Sequence, residues 1–474
     1  MAYGSARTEQ EQAPCEVGGA QSIAVNRAWR QRLHDMPVRN RCVKLLPVRH
    51  LGTRRRGEPE HPDGETSLRQ VADTRTSPVS MRRSVREIAL RSQAAADRLA
   101  RGHPWVWREA VAHGLDGAQP GEEVQVVAPG GAPVGRGLVD PGSPIAVRLW
   151  TRGRSPLDRA LWAERVERAV TLRARLLPDA DTTAYRLLHG EGDRLPGFVV
   201  DRYGPVAVLR TDGEAAAARV RDLVEPLAPA LDAAQVASLV HRTGGKGAPP
   251  RLERLHGGEP PDTVVVKEHG LAFVVDVAHG QKTGAFLDQR ENRRRVRQLA
   301  RGRRTLNLYS YAGGFSMAAV VGGATHVTSV DVAAGAHATA QASFRAAGLD
   351  PNRHAFVTAD VHAFLDGARR RGERWDLVIS DPPSFAPSEK AVQRALSAYR
   401  ALHRACADVL APGGVFCAAS CSSHVGADAF LSTLDDAALG RDDLRLLALH
   451  GAGPDHPTLP AFPEGRYLKF AILA

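Results

Sequence analysis

"TLNLYSYAGGFSMAAV", residues 305–320, is the stretch on which the fold turns. A short apolar strand pattern ends in Ala312-Gly313-Gly314, and a helical pattern opens directly after it. Glycine lets a backbone approach a ligand closely, and a helix N-terminus offers unpaired amides to an anionic group. The turn is not a full Gly-x-Gly-x-x-Gly, so on its own an ordinary tight turn is the better reading.

The residues that follow change the balance. "HVTSVDV" (326–332), "HAFVTAD" (354–360), "WDLVISD" (375–381) and "GGVFCAASC" (413–421) read as further strands separated by helical stretches. Such alternation from 281 onward predicts a parallel, doubly wound α/β sheet, with ligands at the carboxyl ends of its strands. Asp331 ends one strand eighteen positions beyond Gly313, where an acid can take both hydroxyls of a ribose. Asp360 ends the next strand, placed to meet an adenine edge. A glycine turn with two strand-end acids suits a nucleoside cofactor, and both dehydrogenases and methyltransferases use one.

The fourth strand separates these two. Asp381-Pro382-Pro383 holds a carboxylate and free carbonyls in a stiff loop at the same rim, because each proline fixes φ and removes a donor. Phe385 then supplies a flat face for a flipped base. Hydride transfer has no use for such a loop. On the fifth strand Cys417 is placed as an inert buried thiol, while Cys421 falls at the carboxyl end beside Asp381 and becomes a candidate nucleophile. His424 beside it reads as an exposed loop histidine, although it is tempting as a base.

Upstream, residues 157–177 carry a helical pattern, "FVVDRYG" and "VAVLRT" read as strands, and "DTVVVKEHGLAFVVDV" reads as a hairpin. Between 85 and 152, short alternations broken by "PGGAPVG" and "DPGSP" predict a small β barrel. Trp105 and Trp107 lie two apart within it; they share a strand face, and the core reading is favoured over stacking on RNA. Residues 1–80 show no period and are expected to be a disordered extension, with Met81 an alternative start.

Composition sets the frame. The chain has 474 residues, 43% hydrophobic and 24% charged, with no apolar run long enough for a bilayer and no secretion signal, so two or three soluble domains in the cytoplasm are expected. The five cysteines are odd in number and form no Cys-x-x-Cys pair, which argues against a disulfide framework and a structural zinc site. The net charge of +11 suits an anionic partner such as RNA, although an arginine-rich base composition alone could produce it. Residues 1–80 hold 13 basic and 9 acidic side chains, so the remainder still carries +7.

Several motifs in fixed order carry a resemblance: "GHPWVW" (102–107), "YRLLHGEGDRLPGFVVDRYG" (185–204), "HGQKTGAFLDQRENRR" (279–294), "NLYSYAGGFS" (307–316), "DPPSF" (381–385), "SCSSHV" (420–425) and "DHPTLPAFPEGRYLK" (455–469). From about 85 to 474 the chain resembles the bacterial S-adenosylmethionine-dependent large-subunit ribosomal RNA methyltransferases that modify cytosine at carbon 5. The resemblance implies an α/β protein: a PUA-like RNA-binding β barrel at 81–155, a middle α/β domain at 156–280, and a Rossmann-like class I methyltransferase domain at 281–474. By the same resemblance Cys421 would add to carbon 6 of the base and Asp381 would favour protonation at ring nitrogen 3. Tyr311, Gly313, Gly314, Asp331 and Asp360 would bind S-adenosylmethionine. Pro382, Pro383, Phe385, Arg290 and Lys282 would face the RNA, Lys282 through a phosphate, and no metal is implied. Asp288 and Gln289 belong to the same signature as Arg290, without a role that the residues themselves reveal.

Two features depart from the pattern: the 80-residue extension, and the lack of a second cysteine near Asp-Pro-Pro for elimination. Methylation of an exocyclic amine, which needs no thiol, and a catalytically inactive RNA-binding relic remain as alternatives. A basic partner-binding chain of this kind points to ribosomal RNA and no membrane, and leaves the oligomeric state open, a homodimer included.

Overall fold

The computed structural model describes residues 85–177, 181–245 and 248–474. The expected disordered extension, the alternative start at Met81, and Cys15 and Cys42 lie outside the described residues.

Six strands come first: β1 (Arg86–Leu90), β2 (Trp105–Trp107), β3 (Val111–His113), β4 (Glu123–Val127), β5 (Pro133–Val139) and β6 (Ile145–Arg152). They form one sheet in the order β2-β6-β5-β4-β1-β3, with helix α1 (Gln93–Ala100) packed against it and capped by the Ser92 hydroxyl. Ile88, Val106, Val124, Val126, Val139 and Val147 fill its core. Because strand side chains alternate, burying Val106 turns Trp105 and Trp107 to the other face, where both are half-buried. The core reading of the tryptophans is corrected accordingly. Trp105 serves as a wedge between layers: its indole Nε1 donates to Glu191 Oε1 at 2.7 Å and its ring centroid lies 4.6 Å from that of Phe462.

Helix α2 (Arg159–Leu176) starts at the Asp158 cap and leads into a second sheet. Its strands are β7 (Ala184–His189), β8 (Phe198–Tyr203), β9 (Val206–Thr211), β10 (Ser238–Gly245) and β11 (Ala248–Gly257), ordered β11-β10-β9-β8-β7. The short α3 (Glu214–Ala217) and α4 (Val220–Ala233) cross from β9 to β10, which pair in parallel. The outer strands β7 and β11 escape the sequence reading; edge strands tolerate residues such as Pro250 and Arg186 that weaken a strand signal. The expected hairpin is present as β12 (Thr263–Glu268) and β13 (Leu271–Asp276).

Helix α5 (Arg290–Leu299) opens the third region. Strands β14 (Arg304–Leu308), β15 (His326–Asp331), β16 (Ala355–Thr358), β17 (Trp375–Ser380), β18 (Leu410–Ser420), β19 (Leu446–His450) and β20 (Lys469–Leu473) line up as β16-β15-β14-β17-β18-β20-β19. The first five are parallel, as expected for buried Val/Ile/Leu-rich runs joined by helices. The closing strand β20 returns antiparallel beside β18, a reversal the strand-helix alternation does not announce. Helices α6 (Gly314–Val321), α7 (Ala334–Ala346), α8 (Val361–Arg370) and α9 (Val392–Asp408) cover the sheet. The winding reverses at β14, whose two neighbours are β15 and β17, so the predicted ligand crevice lies at the carboxyl ends of β14 and β17.

The segment 455–469 ties these regions together. Arg290, fully buried, gives Asp455 two hydrogen bonds, Nη1 to Oδ2 at 2.7 Å and Nη2 to Oδ1 at 2.9 Å. Asp455 Oδ2 also accepts the Arg186 amide of β7 at 2.9 Å, and its carbonyl accepts Arg173 Nη2 of α2 at 2.7 Å. The expectation that Arg290 faces RNA is corrected: a guanidinium without exposure, with its fork committed to a carboxylate, has nothing left for a substrate. Breaking one side of a buried pair strands the other charge at a cost of about 3–5 kcal/mol. Asp455→Asn is therefore expected to lower the unfolding free energy by that amount, read from urea titrations by circular dichroism as a lower midpoint, far more than replacement of the exposed Asp436.

Candidate functional site

The loop after β14 is held in an unusual backbone. Tyr309 (φ 56°) and Tyr311 (φ 44°) sit in the left-handed region, and Gly313 follows at φ 77° as the cap of α6. Non-glycine residues rarely adopt such angles, and the strain they carry concentrates at functional sites. Asp331 supports the loop: Oδ2 accepts the Tyr311 amide at 2.8 Å and Oδ1 the Ala333 amide at 2.9 Å. A methyl group on Gly313 would lie 2.8 Å from Ala340 Cβ of α7, and one on Gly314 would lie 2.9 Å from Arg293 Cδ. The Ser310 hydroxyl is buried beside this turn without a protein partner, an unfilled polar valence facing the glycine loop. Asp360 is exposed and uses Oδ1 to cap α8 through the Ala363 amide at 2.9 Å.

Tyr311 links this loop to a second one. Its hydroxyl accepts the Gln281 amide at 2.9 Å, and its ring packs edge-on against Phe286 at 5.3 Å. Thr283 in the same segment hydrogen-bonds Asp201 of β8 and reaches Tyr203 Oη at 2.8 Å. Between these anchors Lys282 adopts φ 53°, which places its ammonium 4.3 Å above the Phe286 ring and 3.3 Å from Asp288 Oδ2. Asp288 Oδ2 also accepts the Tyr467 hydroxyl at 2.7 Å, while its Oδ1 is buried without a partner.

Facing this cluster, β17 and β18 run in parallel with Ser380 opposite Ala418, so Asp381 and Cys421 leave the sheet at the same rim. The serines on either side of Cys421 lock that juxtaposition. Tyr399 Oη of α9 lies 2.9 Å from Ser420 Oγ and 3.1 Å from Ser422 Oγ, and Ser422 Oγ lies 3.1 Å from Ser384 Oγ in the proline loop. Lys469, at the start of β20, donates to the Ser422 carbonyl at 2.6 Å and the Tyr467 carbonyl at 2.7 Å. Pro382 is buried and Pro383 exposed. Phe385 is half-buried against Tyr399, ring centroids 4.8 Å apart, so one side of its ring is committed to core packing rather than free for a base.

The electrostatics of the rim are coupled. Burial, helped by the Asp288 charge, pushes the Asp381 carboxyl up to about 7 against the pull of Lys282, Arg293 and the Gln289 amide. Asp288 stays far below the usual carboxylate range because Lys282, His456 and Tyr467 outweigh its burial. Burial and the Asp381 and Asp288 carboxylates push the Cys421 thiol up, with Lys282 pulling against them. Burial takes Lys469 down to about 8, with Cys421 opposing. Cys406 and Cys417, wholly buried, are pushed up to about 12, as suits inert thiols.

Cys421, Asp381 and Lys282 thus meet at one rim, and Tyr311, Gly313, Gly314 and Asp331 belong to the glycine loop joined to it through the Tyr311–Gln281 bond. Arg290 stands apart as a strut, and His424 is exposed. Lys282 lies exposed in a turn, as a lysine ordinarily does, yet its ammonium reaches the Asp288 carboxylate. Sequence reasoning missed Tyr399, Tyr467 and Lys469; the Ser-Cys-Ser spacing was the available hint for Tyr399, since two hydroxyls flanking a strand end need a partner when buried. No cluster of residues among those described could hold a metal ion, and no described helix is long and apolar enough to cross a membrane.

A family model for S-adenosylmethionine-dependent methyltransferases matches residues 209–460, and one for a PUA-like domain matches residues 89–152. The ribosomal RNA large subunit methyltransferase of Deinococcus radiodurans is 40% identical over 396 residues, covering 81% of this chain and 96% of that protein. Ribosomal RNA large subunit methyltransferase I of Shewanella denitrificans is 35% identical over 377 residues, covering 78% and 95%. The crystal structure of SMU.776 complexed with SAH shares the fold, with a TM-score of 0.74 at 24% identity, covering 82% of this chain and all of that one. The cofactor is S-adenosylmethionine, whose electrophilic methyl group is the chemistry it brings. Gly313→Ala, strained by φ 77° and by contact with Ala340, is expected to weaken its binding at least tenfold in calorimetry while Gly335→Ala, in open space, leaves it unchanged.

Proposed function

This chain belongs to the S-adenosylmethionine-dependent ribosomal RNA large subunit methyltransferases, and we propose that it methylates carbon 5 of a cytosine in that RNA through a covalent adduct with Cys421. The observation that carries the reading is the meeting of Cys421 and Asp381 at one rim, with a carboxyl that titrates near neutrality beside a thiol. A cytosine ring is a poor nucleophile at carbon 5 until a group adds at carbon 6. Cys421 Sγ forms the bond to carbon 6, and Asp381, in its protonated form, donates to ring nitrogen 3 as negative charge develops there. Carbon 5 then takes the methyl group, S-adenosylhomocysteine being the leaving group; water accepts the carbon-5 proton, the nitrogen-3 proton returns to the Asp381 carboxylate, and the carbon–sulfur bond breaks to release the thiolate.

The charges suit this sequence. Asp381 must be an acid when the base arrives, and its upward shift keeps a large fraction protonated up to about pH 7. Protonation of Asp381 also removes a carboxylate that disfavours the Cys421 thiolate, so the two groups act as one coupled unit. Lys282 supplies the cationic neighbour that a reactive thiolate needs. Gly313, Gly314, Tyr311, Asp331 and Asp360 are proposed to hold the cofactor, Asp331 through the lone pairs left over from its two amide bonds. The exposed proline loop from Pro383 to Phe385 is proposed to border the base.

The deciding experiment incubates the wild type and Cys421→Ala with labelled S-adenosylmethionine and unmodified large-subunit ribosomal RNA, then identifies the product nucleoside by mass spectrometry. 5-Methylcytidine from the wild type and none from the variant is the expected result. A variant that still methylates, or a product methylated on an exocyclic nitrogen, makes Cys421 structural and favours the amine reading, in which Asp381 and a proline carbonyl hold the amino group.

Asp381→Asn separates the two roles of the carboxylate. Because Asp381 pushes the thiol up, its removal is expected to speed alkylation of Cys421 by iodoacetamide at pH 7.5, followed by peptide mass spectrometry. Because the proton donor is gone, methylation is expected to fall by roughly 10²–10⁴-fold. Loss of both reactivities together would contradict the assignment.

A further inference from the structure

Away from the catalytic rim, positive charge collects at the seam between the first sheet and the second. Arg152 ends β6, Arg194 follows β7 in the left-handed region at φ 57°, and Arg165 and Arg168 project from α2. Arg165 is buried, yet its guanidinium meets only neutral groups: the carbonyls of Arg194 and Trp150, and the Trp150 ring at 5.3 Å. Arg168 pairs with Glu164, both exposed. Arg152 and Arg194 are exposed, and among the described residues their side chains make no ion pair or hydrogen bond. They line the same small cavity, of about 30 Å³, together with Gly102, Pro104, Leu459 and Glu191, whose Oε1 is already bonded to Arg148 and the Trp105 indole.

Like charges gathered around one buried guanidinium repel one another. Burial, with Arg194 and Arg168 adding to it, takes Arg165 down to about 10, and burial with Arg152 and Arg168 lowers Arg194. Glu164 is the only carboxylate acting on Arg165, and it is already shared with Arg168. Other buried arginines do meet acids, as Arg148 does with Glu191 and Asp212, and Arg173 with Asp193, while Arg242 is held by the Val277 and Gly280 carbonyls. An anion arriving at the seam would relieve the repulsion, because the one acid lining the cavity, Glu191, is already paired with Arg148. The cavity is far too small for a base, so the group recognised is a surface phosphate rather than a nucleobase.

We propose that Arg152, at the end of β6, and Arg194, in the turn between β7 and β8, seat backbone phosphates of the ribosomal RNA substrate at this seam, apart from the nucleotide being methylated. The proposal rests on the RNA reading given above. The seam is tied to the catalytic rim through the closing segment, in which Leu459 lines the arginine cavity while Tyr467 and Lys469 reach Asp288 and the Ser422 carbonyl. RNA seated here is therefore held against the same segment that frames the reactive thiol.

The test uses the full chain and unmodified large-subunit ribosomal RNA, in filter binding over a series of salt concentrations. Arg152→Glu combined with Arg194→Gln is expected to weaken binding about tenfold or more and to flatten the salt dependence by roughly one to two, about one unit for each lost phosphate contact. The KM for RNA rises while S-adenosylmethionine affinity, read by calorimetry, and the thermal midpoint stay at wild-type values. Arg369→Glu with Arg370→Glu on α8 changes net charge elsewhere and serves as the control. Wild-type affinity and salt slope in the seam variant overturn the proposal, and so does an equal loss in the control. A wild-type chain that binds S-adenosylmethionine but no ribosomal RNA would overturn the substrate reading as well, which separates the two failures.

Discussion

The bidentate pair between Arg290 and Asp455 is the constraint on which the arrangement of layers depends. Taking both charges out of water is costly, and the cost is offset because both carboxylate oxygens and the carbonyl of Asp455 accept hydrogen bonds. Asp455 receives Arg290 from the start of α5, the Arg186 amide from β7 and, at its carbonyl, Arg173 from α2. One residue near the chain's end thereby fixes the second sheet against the third. With Asp455 pinned, the segment that follows is committed to its course: Phe462 and Glu464 meet Trp105 and His103 of the first sheet, and Tyr467 and Lys469 enter the catalytic rim. The residues from Val85 to Ala474 accordingly form a single compact unit.

That framing explains why the rim tolerates so much unfavourable electrostatics. Two carboxylates, a thiol and two lysines share a poorly hydrated space, and each shifts the others. The shifts divide the labour. Asp288 remains charged because Lys282 and Tyr467 serve it, which leaves Asp381 to rise toward neutrality and take up a proton. Hydroxyls do the positioning: Ser384, Ser420, Ser422 and Tyr399 form one chain that joins the proline loop, β18 and α9 without adding charge. Neutral groups can hold such a rim rigid while the ionisable ones stay free to change state.

Much of this was legible from the residues, for identifiable reasons. The parallel strands were visible because buried strands read as apolar runs, and the rim residues because they stand at the ends of those runs: Asp331, Asp381 and Cys421 all follow directly. Arg290 was misplaced because the signature in which it sits mixes reactive-site and structural residues, and nothing in one dimension distinguishes an arginine whose partner lies 165 positions away. Trp105 and Trp107 were given to the core because alternation states that they share a face but not which face the sheet buries. Phe385 was read as free because Tyr399, which occupies one side of it, comes from a helix fourteen residues on.

By itself the sequence determined what is local or periodic: the five parallel strands of the third region and the helices between them, the glycine turn after β14, the proline-stiffened loop after Asp381, and the strand-end thiol Cys421. These follow from backbone sterics and from side-chain spacing, which act between near neighbours. Tertiary structure alone decided which charges meet. It set Lys282 against Asp288 and near the thiol, Asp288 beside Asp381, Arg290 in the interior, and four arginines at a seam whose two acids, Glu164 and Glu191, are already paired. Coulomb interaction and desolvation depend on distance through space and on the exclusion of water, and neither quantity exists until the chain has folded.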